Sequence, residues 1–359
     1  MKKIDYFGVL AIQSDVRYCA TREEILPKNL QRHLELIDFF VPASTAGIGA
    51  KIRLVVFPEF AIHDKAQSYT AGHVGEWNGV SIDIPGEETE LLAKAARKHG
   101  IYIASHAWQE YPDLPGRPLS VGFLIDPDGK VILKHRKTVP TRTAETSDAG
   151  PGDVYDWFVA KYGDRLDSFF PVVETELGKM GFMICGEGNY AECARGLAMN
   201  GAEIILRPNA WVEPRVAEPM DLMTVISRYA AYTNMCYLVE ANWASVYRPI
   251  GPVGFGPGNS QVIDYMGRIL ARAGSKSEAG IPAAVNMESL RRHREEISFG
   301  ARIAYMPTHI FRKVYEREMW PKNLLLKQER TNLPKEWDAI RQEVVRSRRD
   351  VFTPSRGDE

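Results

Sequence analysis

The 359-residue sequence contains few cysteines and no long apolar segment. Its four cysteines, Cys19, Cys185, Cys193 and Cys236, include no Cys-x-x-Cys pair. They do not have the pattern of a secreted disulfide framework, so we expect a reducing, cytoplasmic location. No apolar run approaches the roughly 20 residues that cross a bilayer, and Asp5 interrupts the apolar stretch that a signal peptide would need. We therefore predict a soluble protein with no membrane partner.

The sequence also lacks an excess of either charge. Its 45 Lys and Arg residues against 46 Asp and Glu residues leave a formal net charge of −1. A protein this close to neutral has no long-range field that recruits polyanions, so we predict no nucleic-acid partner. With 45% hydrophobic and 25% charged residues, the composition is that of an ordinary globular protein. The length allows one large domain or two ordinary ones.

Strand-like and helical segments alternate along the first 290 residues. The strand-like segments include YFGVLAIQ (6–13), KIRLVVFPEF (51–60), IYIASHA (101–107), GKMGFMIC (178–185) and AEIILRP (202–208). Helical spacing occurs over 29–41, 88–100 and 221–234. A Gly-containing turn at 127–129 joins two β-rich segments into a predicted hairpin. This alternation predicts a layered α/β fold.

The composition becomes rich in charge beyond about Glu288, with sequences such as RRHREE at 291–296. We interpret residues 1–288 as one domain. Residues 289–359 are interpreted as a charged C-terminal extension that wraps a neighbouring subunit. A frayed, solvated tail is the alternative.

Three predicted strands end in residues that can carry chemistry. LVVFPEF (54–60) places Glu59 after a strand, HRKTVP (135–140) places Lys137 there, and GFMICGEGNYAE (181–192) places Cys185 at a strand-to-helix turn. Ligands of α/β sheets bind at the carboxyl ends of the strands. A cysteine on such a turn gains from the helix N-terminus, which favours the thiolate.

Each of the three motifs alone also has a purely structural interpretation. A lone Glu after a strand is usually solvated, the basic cluster around His135 fits an edge strand, and most cysteines are buried and inert. We assign that inert role to Cys19, Cys193 and Cys236.

Taken together, the three motifs resemble those of the nitrilase, or carbon-nitrogen hydrolase, superfamily. FPEF, HRKTVP and GFMICGEGNYAE follow the order and wide spacing of that superfamily over nearly 290 residues. CGEGNYAE is similar to the segment of the aliphatic amidase and formamidase branch, in which Gly-Asn-Tyr-Pro-Glu follows the nucleophile. AMNGAEIILRPNAW and AAYTNMCYLVEANWA resemble the same branch. Gly186 and Ala191 depart from it, since the family has a larger side chain and a proline there.

The resemblance implies an α/β fold, a four-layer αββα sandwich, doubled through a subunit interface into a homo-oligomer. It implies Cys185 as nucleophile, Glu59 as general base and Lys137 as oxyanion donor. Glu145 lies eight residues after Lys137, the offset of a second active-site glutamate in such amidases. In nitrilases the spacing is usually one residue shorter, which favours an amide substrate.

The implied function is that of a thiol-dependent amidase. A small amide would be hydrolysed to a carboxylic acid and ammonia through a Cys thioester, without a cofactor or metal. Gly186, Trp211, Tyr69 and Trp108 are predicted to bind the substrate, with a backbone N–H of Gly186 also facing the oxyanion. The aromatic residues fit core packing equally well.

Other functions stay open. The same thiolate could attack a nitrile to give a thioimidate, or hydrolyse an N-carbamoyl compound or a hydrazide. His135 suggests a Cys-His hydrolase, but no third orienting residue can be named for it. A metal site is disfavoured because the eight histidines show neither HExxH nor paired-Cys spacing. A non-catalytic scaffold is disfavoured because Glu59, Lys137 and Cys185 are all present.

Overall fold

The computed structural model describes residues 3–64, 79–140, 149–211, 221–248, 251–252, 258–297, 300–326 and 334–352. Within these residues, two six-stranded sheets form the centre of the molecule. Hydrophobic side chains from both sheets form one shared cluster, so the two sheets pack face to face.

The first sheet has the strand order β15-β1-β3-β4-β5-β6. Its strands are β1 (Tyr6–Gln13), β3 (Ile52–Val56), β4 (Tyr102–Tyr111), β5 (Leu114–Ile125), β6 (Val131–Arg136) and β15 (Ala279–Asn286). Strands β1, β3 and β4 are parallel, and the outer pairs are antiparallel. The carboxyl ends of the three parallel strands therefore meet at one edge of the sheet.

The second sheet has the order β14-β13-β10-β9-β8-β7. Its arrangement is the same, with β8, β9 and β10 parallel and the outer pairs antiparallel. Its strands are β7 (Val172–Thr175), β8 (Gly178–Phe182), β9 (Ile204–Pro208), β10 (Tyr237–Ala241), β13 (Gln261–Ile263) and β14 (Ile269–Arg272). A small third sheet contains β2 (Val16–Arg17), β11 (Val246–Arg248) and β12 (Gly251–Pro252).

Helices cover the outer face of each sheet. Those on the first sheet are α1 (Gln31–Ile48) and α2 (Glu87–His99), and those on the second are α5 (Ala191–Met199) and α6 (Leu222–Asn234). The other helices are α3 (Tyr155–Tyr162), α4 (Leu166–Phe169), α7 (Met287–Glu295), α8 (Thr308–Phe311), α9 (Pro334–Ser347) and α10 (Arg349–Phe352). Short 3₁₀ or π turns occur at Arg22–Glu24, Leu26–Leu30, Pro151–Val154, Cys185–Asn189 and Arg312–Tyr315.

Side-chain alternation explains why the layers form. In β9, Ile204 and Leu206 join the cluster between the sheets, whereas Ile205 joins the cluster beneath α5 and α6. Strand side chains point alternately to the two faces of a sheet, so apolar residues at every position of such a strand require layers on both sides. The predicted four-layer αββα sandwich is confirmed.

Several elements differ from their predicted lengths. Helix α1 continues through Pro42 to Ile48 and ends at Gly49, which has a left-handed φ of 65°, whereas the prediction ended at Val41. Strand β3 ends at Val56 and β8 at Phe182, each a few residues before the predicted end. The segments that carry Glu59 and Cys185 are therefore turns rather than strand ends.

The C-terminal extension begins on the body of the protein. In α7, Leu290 is buried in the cluster between the sheets, and Arg294 donates hydrogen bonds to the carbonyl oxygens of Ala202 and Met235. Trp320 Nε1 lies 2.7 Å from Asp153 Oδ1. These contacts are with the same chain, and the wrapping of a neighbouring subunit stays a prediction. Within the described ranges, no helix has the length and apolar character that crossing a membrane requires.

Candidate active site

A buried ion pair joins the segments that follow strands β3 and β6 of the first sheet. Lys137 Nζ lies 2.7 Å from Glu59 Oε1, and neither side chain is exposed to solvent. The Glu59 N–H donates to the carbonyl of Asn209 in the second sheet (3.2 Å), and Trp243 Nε1 donates to the Glu59 carbonyl (2.6 Å). The backbone of the turn that carries Glu59 is thus held from the opposite sheet.

The alternation of strand β6 places Lys137 inside the protein. His135 and Lys137 are buried, while Lys134 and Arg136 on the other face are partly exposed. This confirms the predicted division of the basic cluster. The Lys137 ammonium, which a purely structural edge strand would leave in water, is instead inside, where a charge must be paired.

His106 connects the Glu59 turn with the Lys137 strand. Its Nδ1 accepts the backbone N–H of Phe60 at 3.0 Å, so the neutral ring carries its proton on Nε2 and donates it to Ser120 Oγ at 2.7 Å. The Ser120 carbonyl in turn accepts the Lys137 N–H at 2.8 Å. Glu59 and Lys137 are therefore linked through the hydrogen bonds of His106 and Ser120 as well as by their direct contact.

Cys185 occupies the turn between β8 and α5. Its φ is +44°, a left-handed conformation that costs a non-glycine residue about 1–3 kcal/mol and that is enriched at functional sites. The residue is 5% exposed and opens a 3₁₀ turn that ends at Asn189. This is the strained strand-to-helix geometry that displays a nucleophile.

One buried carboxylate bridges the Lys137 and Cys185 segments. Glu187 Oε1 accepts the N–H of Thr138 and Glu187 Oε2 accepts the N–H of Ile184, both at 2.6 Å. Burial alone would raise the pKa of Glu187, but His135 and these two backbone donors outweigh it and hold that pKa below its usual value. The N–H groups of the residue that follows Lys137 and of the residue that precedes Cys185 therefore share one carboxylate group.

The geometry thus places a buried ion pair and a strained cysteine after strands of two facing sheets, and Glu187 joins the segments that carry Lys137 and Cys185. A family model for carbon-nitrogen hydrolases matches residues 15–295. This chain belongs to the carbon-nitrogen hydrolase family.

Comparisons with individual carbon-nitrogen hydrolases agree with this. Formamidase from Bacillus cereus strain B4264 is 28% identical over 248 residues, which span 68% of this chain and 64% of that enzyme. The chain therefore covers less than two thirds of the length of that relative. A carbon-nitrogen hydrolase from Helicobacter pylori G27 superposes with a TM-score of 0.64 at 20% identity, covering 87% of this chain and 99% of the other.

A further solved structure is that of an amidase from Nesterenkonia sp. AN1, a member of the nitrilase superfamily. In one variant of it, the acetamide moiety of fluoroacetamide is covalently added to the active-site cysteine. It superposes with a TM-score of 0.58 at 15% identity and covers 86% of this chain and 97% of the other. At these identities the two solved structures establish a shared fold.

The remaining predicted site residues of this carbon-nitrogen hydrolase have different placements. Gly186 is buried directly after Cys185, and Trp211 is 7% exposed in the same cluster between the sheets. Trp108 is fully buried in the outer cluster of the first sheet, where its ring stacks on His63 at 5.2 Å. That position favours core packing, and a pocket role for Trp108 stays a prediction. Tyr69 and Glu145 lie outside the described residues.

Three cysteines have the inert placement expected of them. Cys19, Cys193 and Cys236 are buried and unbridged. Burial raises the pKa of Cys19 to about 12 and that of Cys236 to about 11, and it raises the pKa of Cys193 well above its usual value. Thiols with such pKa values remain protonated at neutral pH.

Sequence reasoning missed Glu187 and the partner of His135. His135 was considered as a base for the thiol, yet its Nε2 faces the Glu187 carboxylate at 2.9 and 3.0 Å. A signal was present, since Glu187 is the one charged residue in the segment CGEGNY. An acidic residue near a helix start is also ordinary, so that signal could not identify its role. Within the described ranges, no group of three His, Cys, Asp or Glu side chains has a geometry that could hold a metal ion.

Proposed function

We propose that this chain is a thiol-dependent amidase that hydrolyses the C–N bond of a small amide to a carboxylic acid and ammonia. The observation that carries the proposal is the 2.7 Å contact of Glu59 and Lys137, both inaccessible to solvent, with the Lys137 segment joined through Glu187 to the strained turn of Cys185. A buried ion pair often stabilises a fold no better than apolar residues of similar volume, so a chemical role accounts for this pair better than stability does. Family membership and the formamidase relative point to the same reaction class.

Acylation is the first half of the proposed reaction. Glu59 takes the proton of the Cys185 thiol, and the sulfur attacks the amide carbonyl carbon. Lys137 donates a hydrogen bond to the oxyanion of the tetrahedral intermediate, and the backbone N–H of Gly186 assists. Glu59 then passes its proton to the leaving nitrogen, so that the C–N bond breaks, ammonia departs and a thioester remains.

Deacylation uses the same residues, with water as the nucleophile and the Cys185 sulfur as the leaving group. Glu59 removes a proton from a water molecule that attacks the thioester carbonyl, and Lys137 again stabilises the oxyanion. Collapse of this second intermediate breaks the C–S bond, releases the carboxylic acid and returns the proton to the sulfur. Glu145 is proposed to orient the substrate amide or to hold Lys137 and the water.

We also propose that the chain forms a homo-oligomer through the outer helices of the second sheet. Val225, Tyr229 and Tyr232 of α6 are 59%, 58% and 40% exposed. They recur at helical spacing and so lie on one face. An apolar stripe of this kind is typical of a protein–protein interface.

The test is ammonia release from a panel of short aliphatic amides, aryl amides, N-carbamoyl compounds, hydrazides and matching nitriles. We expect turnover of at least one amide, abolished in Cys185→Ala and retained in Cys193→Ala, the matched control for a buried cysteine. Incubation with an amide should also add one acyl mass to Cys185 under rapid acid quench. Turnover of nitriles alone would contradict the amidase proposal while keeping the three residues, and turnover that survives Cys185→Ala would contradict the mechanism.

A further inference from the structure

A second buried ion pair lies directly behind the Cys185 turn. Arg207 of β9 and Glu240 of β10 are neighbours in the register of two parallel strands, and neither is exposed. Arg207 Nη1 lies 2.8 Å from Glu240 Oε1. The remaining acceptor capacity of the Glu240 carboxylate is taken by the side chains of Ser227, Asn209 and Gln261.

This pair reaches the backbone of two of the proposed catalytic residues. Arg207 Nη2 donates to the Cys185 carbonyl at 3.3 Å. The side chain of Asn209 binds Glu240, while its carbonyl accepts the N–H of Glu59 at 3.2 Å. A connection made only of buried polar groups thus runs from the nucleophile turn in the second sheet to the base turn in the first.

The fit around the guanidinium is close. A Cβ atom added to Gly188 would lie 2.3 Å from Arg207 Nη2, so the glycine allows the turn to approach the charge. Burial raises the pKa of Glu240, whereas Arg207 and the side-chain donors oppose that rise. A buried ion pair is weak evidence for stability, since apolar residues of similar volume often serve as well. Its contacts with the Cys185 carbonyl and, through Asn209, with Glu59 give it another role.

We propose that Arg207 and Glu240 are positioning residues. Arg207 holds the left-handed backbone of Cys185, and Glu240 orients both Arg207 and Asn209, so that the thiol and the Glu59 carboxylate keep their separation. The inference deepens the proposed amide hydrolysis and rests on it. A misplacement of about 1 Å costs a catalytic group about a hundredfold in rate.

The experiment compares Arg207→Met, Glu240→Gln and the double variant with both changes. Each single change leaves one partner buried without its counter-charge, so a single variant can fail to fold, whereas the double variant is neutral. Glu203→Gln is the matched control. Glu203 directly precedes β9, and its Oε1 lies 2.7 Å from Arg291 Nε in an ion pair that does not include the proposed catalytic residues. Three quantities are measured: thermal unfolding, kcat and KM for ammonia release, and the rate at which iodoacetamide alkylates Cys185, followed by peptide mass spectrometry.

The expected result is a folded double variant whose kcat is about a hundredfold lower, with KM changed by less than about threefold. Its alkylation at Cys185 should be slowed by at least about tenfold, in line with the loss of kcat. Single variants that fold should lose as much as the double variant does, because residues that act as a unit are not additive. Glu203→Gln should lower Tm and leave kcat and alkylation unchanged.

Wild-type kcat and alkylation in a folded double variant would overturn the proposal. An equal loss of kcat in Glu203→Gln would overturn it too, since general destabilisation would then account for the effect. Alkylation separates this inference from the function on which it rests. If the wild type hydrolyses no amide, slower alkylation of Cys185 in the double variant still supports the positioning role, and unchanged alkylation contradicts it.

Discussion

His135 and Glu187 form a buried pair in which the imidazole Nε2 is nearly equidistant from both carboxylate oxygens, 2.9 Å from Oε1 and 3.0 Å from Oε2. Each oxygen also accepts a backbone N–H, one from Thr138 and one from Ile184, so one carboxylate group binds the imidazole and the two segments that follow β6 and β8. The pair therefore fixes the distance between the lysine segment and the cysteine segment without touching the reacting atoms.

Glu187→Gln tests this bridge. The amide keeps the size of the carboxylate but offers one acceptor oxygen in place of two, so one of the backbone N–H groups loses its partner. We expect the free energy of unfolding to fall by about 1–3 kcal/mol, the cost of an unsatisfied buried group. We expect kcat to fall by more than about tenfold, since a displacement of about 1 Å costs about a hundredfold in rate. Chemical denaturation and ammonia release measure the two effects.

Glu192→Gln is the control for that bridge, because it makes the same change at an exposed residue of α5. It should match the wild type in kcat. A Glu187→Gln enzyme with full activity and unchanged stability would show that the bridge is dispensable.

Lys137→Met tests the oxyanion donor. The substitution keeps the length of the side chain and removes the ammonium that lies 2.7 Å from Glu59. Loss of one oxyanion donor costs about 2.7–4 kcal/mol of transition-state stabilisation, so we expect kcat to fall at least about a hundredfold. Lys134→Met changes the partly exposed face of the same strand and should retain activity. Equal losses in both variants would contradict a specific role for Lys137.

His33 makes stability depend on pH. Its ring stacks on Phe57 at 4.4 Å, and among the described residues neither ring nitrogen has a hydrogen-bond partner. Burial lowers the pKa of His33 from 6.5 to about 3. Below pH 6.5 the unfolded chain therefore binds a proton that the folded chain refuses, and stability falls as the pH is lowered toward 3.

We expect His33 to contribute a loss of about 2 kcal/mol between pH 7 and pH 5, measurable by urea denaturation. His33→Leu should remove this contribution, so that the stability of the variant relative to the wild type increases as the pH falls. Parallel pH profiles for the two proteins would refute the assignment. The buried His63, whose pKa is lowered to about 4, contributes a pH dependence of the same sign and similar size to both proteins, so the comparison of the variant with the wild type isolates His33.

Tyr229→Glu tests the proposed self-association. Placing a charge within the apolar stripe of α6 should weaken an interface formed there, because an unpaired charge is costly to bury. We expect light scattering after gel filtration to report a dimer or larger species for the wild type and a smaller one for the variant. Tyr6→Glu is the matched control for this variant, because Tyr6 is also 58% exposed but lies on β1 of the first sheet rather than on α6. A monomeric wild type would rule out the interface.

Much of the architecture was predictable because the strands are apolar on both faces. Strand β1 was predicted with its observed bounds, Tyr6–Gln13, because a short apolar run of this length fits a strand that is buried on both faces. Helix α1 was predicted too short at Pro42, where a proline removes one backbone hydrogen bond. Packing of Val41 and Ser44 against the sheet stabilises the helix beyond the proline, and such tertiary contacts are not visible in local sequence.

The site was predictable only in part. Glu59, Lys137 and Cys185 stood out because each follows an apolar strand, and their motifs resembled a known family. Arg207 and Glu240 could not be found in this way, because a charged residue within a strand is ordinarily read as its exposed face. Only the pairing of β9 with β10 in this register reveals that the two charges meet in the interior.

The contact of Gly188 with Arg207 ties two distant positions of the sequence to each other. A Cβ atom at position 188 would lie 2.3 Å from Arg207 Nη2 and 3.0 Å from Ile226 Cγ2, so a side chain there displaces the guanidinium. The two sites should therefore covary across a deep alignment of relatives. In a saturation library of this gene, substitutions of Gly188 should be depleted, and those recovered should be enriched in shorter residues at position 207.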